Sequence, residues 1–281
     1  MNQNKDRVAP FMPVSHPSFR AMPWRRIGFA CIAVMAMKVG AAPAPPATPL
    51  PAPAVAAPVA VAPPATPASV PDTVQQRLLA CTGCHGNEGR AASDGFYPRI
   101  AGKPEGYLYN QLLNFREGRR HFQLMSYMVD YQSDDYLREM AQYFSSQHPP
   151  YAAPQKFDVS KATLEQGQAL VKSGDPAHRI PACSACHGEA LAGVNPAIPG
   201  LLGLPRDYII AQLGSWKSGA RRAAAPDCMA QIAERLSEQQ VGAIAAWIGS
   251  QVADSQARPA DHVAEPMPTR CGSMPSADVA H

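Results

Sequence analysis

Two stretches of this chain align on each other without a gap, and that duplication limits the fold more than any other feature. "YPRIAGKPEGYLYNQLLNFREGRR" begins at Tyr97 and "IPGLLGLPRDYIIAQLGSWKSGARR" at Ile198. At a constant offset of 101, Pro98 meets Pro199, Gly102 meets Gly203, Pro104 meets Pro205 and Tyr107 meets Tyr208. Gln111, Leu112, Phe115 and Gly118 then meet Gln212, Leu213, Trp216 and Gly219. Each copy follows a second shared stretch, "ACTGCHG" at residues 80–86 and "ACSACHG" at 182–188. A repeat of this kind marks a duplicated domain, so a fold assigned to one copy has to serve the other.

Each copy reads as helical. Pro104 and Pro205 suit the first turn of a helix, where a missing N–H costs nothing. Apolar residues follow at helical spacing: Tyr107, Leu108, Leu112 and Phe115 in one copy, Tyr208, Ile209, Leu213 and Trp216 in the other. Gly118 and Gly219 stand where a left-handed C-terminal cap is wanted. A last helix follows in each copy. One starts from Ser133, the other from Ser237 with Gln240 at the capping-box spacing. Leu137, Met140, Ala141 and Phe144 line one face of the first, and Val241, Ile244, Ala245 and Ile248 line its counterpart. No run alternates with the strand period, so the expected fold is all-α, with two tandem helical domains at 72–150 and 155–252. Domains this small rarely bury enough apolar surface unaided and often need a staple or a cofactor.

The segment before the first copy carries "WRRIGFACIAVMAMKVGAAPA". A basic flank (Arg25, Arg26), an apolar run from Ile27 to Met37 and then small residues form a secretory signal pattern. The run is short for a bilayer span and Lys38 clips it. Residues 1–44 are therefore read as a signal peptide, with a retained anchor and membrane association through the N-terminus as the alternative. Residues 45–71 form a Pro/Ala-rich linker, extended because proline fixes φ and withholds amide donors. Residues 253–281 form a C-terminal tail.

Formal net charge is +3. Basic and acidic residues number 8 and 8 over 73–148, and 9 and 8 over 155–251. Neither copy has the dense basic face that nucleic acid demands. Of seven cysteines, Cys31 belongs to the signal, four to the two C-x-x-C-H stretches, and Cys228 and Cys271 remain. An oxidising compartment disfavours free thiols, so a Cys228–Cys271 disulfide is expected. The alternative is a Cys228 thiolate ligand in place of its neighbour Met229.

Zinc needs four ligands in a closed site, and neither copy has a second cysteine pair. A redox dithiol belongs in a βαβ setting, which is absent. The histidine after the second cysteine fits neither chemistry. C-x-x-C-H is instead the c-type haem attachment signal: two thiols a helical turn apart add to the vinyl groups, and the adjacent histidine becomes the proximal iron ligand. The expectation is two covalently bound haem c groups, on Cys81 and Cys84 and on Cys183 and Cys186, with His85 and His187 as axial ligands.

For the sixth ligand, Met125 and Met229 occupy matched places, each nine residues before an acidic position, Asp134 or Glu238, that opens the last helix. A thioether is soft, raises the potential and closes the coordination sphere, so that electrons pass with no bond-making substrate. Met128 is the nearest rival in the first copy and His121 a more distant one, and His178 is a distant rival in the second. His16, His148, His262 and His281 read as solvated.

On "CTGCHG", "YPRIAGKPEGYLYNQLLNFREGRR", "MSYMVDYQSDDYLREMAQYFSSQ" and their counterparts, residues from about Asp72 to Gln251 resemble the dihaem cytochrome c4 family. Each half resembles a class I cytochrome c. The resemblance implies that the carbonyls of Pro98 and Pro199 accept hydrogen bonds from His85 and His187, and that the haems face each other across the domain interface. It also implies redox partners, with a quinol-oxidising complex as donor and a terminal oxidase as acceptor, in the bacterial periplasm.

The resulting reading is a periplasmic dihaem carrier that shuttles electrons between respiratory complexes and is not an enzyme. The alternatives are a dihaem enzyme of peroxidase or thiosulfate-oxidising type, or a cytochrome subunit of a membrane-bound dehydrogenase. Four features depart from the family pattern: a short first helix lacking the glycine that Gly167 supplies in the second copy, the insertion "SGDPAHRIPA", the Pro/Ala tether, and the tail with Cys271.

Overall fold

The computed structural model describes residues 70–92, 95–263 and 266–274. The signal or anchor, Cys31, His16, most of the linker, the end of the tail and His281 lie outside the described residues.

The first copy contains α1 (Val74–Arg77), α2 (Leu79–His85), α3 (Glu105–Arg116), α4 (Gln123–Val129) and α5 (Asp134–Ser146). The second contains α6 (Lys161–Ser173), α7 (Cys183–His187), α8 (Arg206–Lys217), α9 (Cys228–Arg235) and α10 (Glu238–Gly249). Single 3-10 turns follow α2 and α6, at Asn87–Gly89 and Pro176–His178. The fold is helical, as the periodicity implies. One short antiparallel pair departs from that expectation: β1 (Gly193–Val194) lies on β2 (Ile198–Pro199), Gly193 opposite Pro199. Two-residue strands leave no alternation to read in a sequence.

The caps follow local chemistry. Ser133 accepts from Tyr136 N, and Ser237 and Gln240 form the reciprocal capping box. Gly118 and Gly219 take φ of +68° and +76° just beyond α3 and α8. Pro104 and Pro205 stand one position earlier than expected. They are the cap residues, with ψ of 137° and 146°, and their carbonyls accept from Leu108 N and Ile209 N. A cap residue sits in extended backbone, and the fixed φ of proline satisfies that as readily as the first turn.

Each copy has its own core. Leu78, Phe115, Leu137 and Phe144 are central in the first, and Val171, Leu213, Ile244 and Ile248 in the second. The copies differ at their first helix. α6 runs long and unbroken against α10, and Gly167 lets the backbones meet: a Cβ there would lie 2.2 Å from Ala243 O. In the first copy the chain breaks at Leu78 into α1 and α2. The insertion before α7 closes on itself, with Asp175 and Ile180 exchanging backbone hydrogen bonds.

The copies meet through residues that align in the repeat. Arg120 and Arg221 form an antiparallel bridge, with His121 N donating to Ala220 O and Arg222 N to Arg119 O. Arg120 Nη2 donates to Tyr208 OH (3.0 Å) and Gln212 Oε1 (2.7 Å). Arg221 Nη2 donates to Tyr107 OH (3.4 Å) and Gln111 Oε1 (3.0 Å). Each guanidinium also lies over an aromatic ring of its own copy, Phe115 or Trp216. The contact is self-complementary, as in a two-fold dimer interface, but within one chain.

The tail is pinned back onto the second copy. Cys228 and Cys271 form a disulfide, Gly272 N donates to Pro226 O (2.9 Å), and Asn110 Nδ2 of the first copy donates to Ser273 O (3.1 Å). Among the described residues no helix is long and apolar enough to cross a membrane.

Gly167→Val forces α6 from α10 and destabilises the holoprotein by roughly 1–3 kcal/mol, whereas Gly242→Ala, in α10 with open space around it, gains about 0.4–1 kcal/mol. Chemical denaturation of both variants measures the contrast. A non-reducing digest yields a linked Cys228–Cys271 peptide, and Cys271→Ser lowers stability by up to about 4 kcal/mol, the loop-closure value for the 43-residue separation.

Candidate functional site

Each C-x-x-C-H stretch folds as a short helix that ends on its histidine. α2 carries Cys81, Cys84 and His85; α7 carries Cys183, Cys186 and His187. One helical turn separates the two cysteines of each stretch and sets them on the same side. None of the four joins another cysteine in a disulfide, and all are half-buried. Burial pushes the Cys81 and Cys186 thiols up, and Cys183 up to about 11.

The histidine rings are buried, His85 at 8% and His187 at 7% exposure. His85 Nδ1 lies 2.9 Å from Pro98 O, and His187 Nδ1 lies 2.8 Å from Pro199 O. A carbonyl only accepts, so Nδ1 carries the proton and the lone pair is left on Nε2. Burial lowers both imidazole pKa values, which keeps the rings neutral and able to ligate; the proline carbonyls act in the opposite direction. Tyr97 stands edge-on to His85 at 6.0 Å.

Met125 lies in α4 and Met229 in the first turn of α9. Both are half-buried. Met125 packs on the first core together with Cys81, and Met229 on the second together with Cys183. Met128 packs on the first core as well. The other candidates point elsewhere. His121 is exposed, and His178 is exposed with Nδ1 held by Asp175 Oδ2 at 2.7 Å. Asp227 caps α9 by accepting from Ala230 N and also accepts from Ala223 N, which fixes the loop ahead of Met229. Cys228, joined to Cys271, offers no thiolate.

These residues fit a haem c in each copy. Two cysteines outside any disulfide stand at attachment spacing, a neutral histidine has its tautomer set by a carbonyl, and a soft thioether lies in the same apolar cluster as the first cysteine. Zinc is poorly served: among the described residues no three or more His, Cys, Asp or Glu gather as a metal set.

Sequence reasoning did not single out the interface arginines or Lys103. Arg120 and Arg221 align in the repeat as basic residues, a signal present in "GRR" and "ARR". Lys103 is 5% exposed, and its Nζ donates to Gly200 O of the other copy at 2.5 Å. Burial, with a smaller push from Arg99, brings its pKa down to about 7. Its charge in turn lowers the pKa of His187.

Residues 162–248 match the family model for cytochrome c oxidase, cbb3-type, subunit III. The chain is 36% identical over 172 residues to a thiosulfate dehydrogenase electron acceptor of Thiomonas intermedia, covering 61% of this chain and 78% of that one. It is 32% identical over 185 residues to cytochrome c4 of Azotobacter vinelandii, covering 62% of this chain and 85% of that one. The crystal structure of reduced cytochrome c4 from Pseudomonas stutzeri superposes with a TM-score of 0.55 at 29% identity, over 63% of this chain and 95% of that one. With the repeat, the paired C-x-x-C-H helices and these relatives agreeing, the chain belongs to the dihaem cytochrome c4 family, whose two haem c groups are covalently bound.

Proposed function

We propose that this chain is a periplasmic dihaem electron carrier in which His85 with Met125, and His187 with Met229, ligate the two irons. Cys81 and Cys84 hold one haem by thioether bonds, and Cys183 and Cys186 hold the other. Residues 72–150 and 155–252 are the two domains. The observation that carries the reading is the duplicated arrangement itself: in each copy a buried histidine donates Nδ1–H to a proline carbonyl, while a methionine shares an apolar cluster with the first cysteine.

The bound groups supply reversible one-electron chemistry at iron. What this chain's residues do is hold that chemistry closed. The proline carbonyls orient the rings and strengthen the histidines as ligands. Met125 and Met229 would each hold an iron with a neutral, soft donor, which would leave it closed to small molecules. The near balance of charge in each copy argues against nucleic acid as the partner.

The electron donor is proposed to be a quinol-oxidising complex and the acceptor a terminal oxidase. A second reading of the donor has its own support: a relative at 36% identity carries the name thiosulfate dehydrogenase electron acceptor. On that reading the chain takes electrons from a thiosulfate-oxidising enzyme and remains a carrier.

The protein made with a haem-maturation system is expected to contain two low-spin haems per chain, neither binding CO when reduced. Met125→Ala or Met229→Ala should each remove about half of the Met-to-ferric charge-transfer absorption and open one iron to CO. Stopped-flow mixing of the oxidised carrier with a reduced quinol-oxidising complex, or with a thiosulfate dehydrogenase and its substrate, decides between the donors. A high-spin or CO-binding iron in the wild type contradicts the carrier reading.

A further inference from the structure

The repeat is broken at two buried cations, Arg99 and Lys103, and of these Lys103 crosses between the copies. Lys103 aligns with Leu204, an apolar residue that packs on the core of its own copy. Lys103 instead crosses to the other copy and donates to Gly200 O at 2.5 Å. Gly200 directly follows Pro199, whose carbonyl accepts from His187 Nδ1 at 2.8 Å. The crossing is not reciprocated. Gly200 aligns with Arg99, whose guanidinium stays in its own half, donating to Pro149 O and Pro150 O and lying over the Tyr151 ring.

Space and solvation reinforce the asymmetry. A Cβ at Gly200 would lie 2.3 Å from Ala192 O, so the position stays a glycine. Lys103 is 5% exposed, and among the described residues no carboxylate forms an ion pair with it. The ionisable groups acting with it are Arg99, of the same sign, and His187. A charge so shielded from water acts over a longer distance than a surface lysine does. A cation beside a redox iron disfavours the oxidised form, which carries one more positive charge.

We infer that Lys103 is a positioning residue of the first copy that tunes the second: its ammonium, held beside the His187 site through Gly200 O, raises the midpoint potential there and leaves the His85 site as its own copy sets it. The inference rests on the axial assignments proposed above, in which His187 and Met229 serve one iron and His85 and Met125 the other.

The test is a redox titration of the full-length holoprotein in mildly acidic buffer, where the lysine is protonated. Met125→His and Met229→His each displace one of the two midpoint potentials and so assign them. Lys103→Met and Lys103→Gln are then expected to lower the second-site potential alone, shifting electrons toward the first site at half reduction. Gln keeps a hydrogen-bond donor and loses the charge, and Lys103→Arg keeps both and holds the wild-type value. Unchanged haem content and low-spin spectra show that the variants are folded. A fall shared equally by both sites, no fall at either, or a wild-type value in Lys103→Gln overturns the inference while leaving the axial assignment standing. Met→His variants that move neither potential overturn the axial assignment and this inference with it.

Discussion

Everything in each half hangs on one hydrogen bond, from the histidine Nδ1 to the carbonyl of a proline twelve or thirteen residues later. It sets the tautomer, so the imidazole presents Nε2 as its lone pair. It also ties the end of a very short helix, seven residues in α2 and five in α7, to the loop that leads into α3 or α8. Such short helices have little stability of their own. The bond and the core around it supply what the helix lacks, and further along the same loop Pro104 or Pro205 caps the next long helix.

From that shared frame the halves diverge in ways that make the second the more constrained. Gly167 brings α6 into backbone contact with α10, whereas the first half opens with a broken helix. The Cys228–Cys271 disulfide holds the tail against the loop just ahead of Met229, and Asn110 fastens the same tail to the first half. The join between halves is symmetric where Arg120 and Arg221 exchange partners, and asymmetric where Lys103 crosses to Gly200. Duplication gave two similar sites, and these additions give each its own electrostatic setting.

Much of this was legible in the residues. The offset of 101 located α3 and α8, Ser133 and Ser237 marked the starts of α5 and α10, and two cysteines left over in an exported chain pointed to each other. These are local or arithmetic signals. Pro104 and Pro205 are caps rather than first-turn residues, a difference the sequence does not carry because proline satisfies a cap and a first turn equally well. The β1–β2 pair is too short to carry a period. The Lys103 contact could not be read, because it joins residues 97 positions apart across the junction of the two halves. The misfit of Lys103 with Leu204 was in plain view, but only the packing says where the side chain goes. Met125 and Met128 share a core cluster, so matched register with Met229 remains what selects Met125.

On the proposed ligation, two sites of the same design are each closed by a histidine and a methionine. Proton NMR of the reduced wild-type holoprotein reads it directly, because a methionine bound to haem iron has its thioether methyl shifted far upfield by the ring current. The proposed ligation gives two such methyl signals of equal intensity. A single signal, or none, would contradict it.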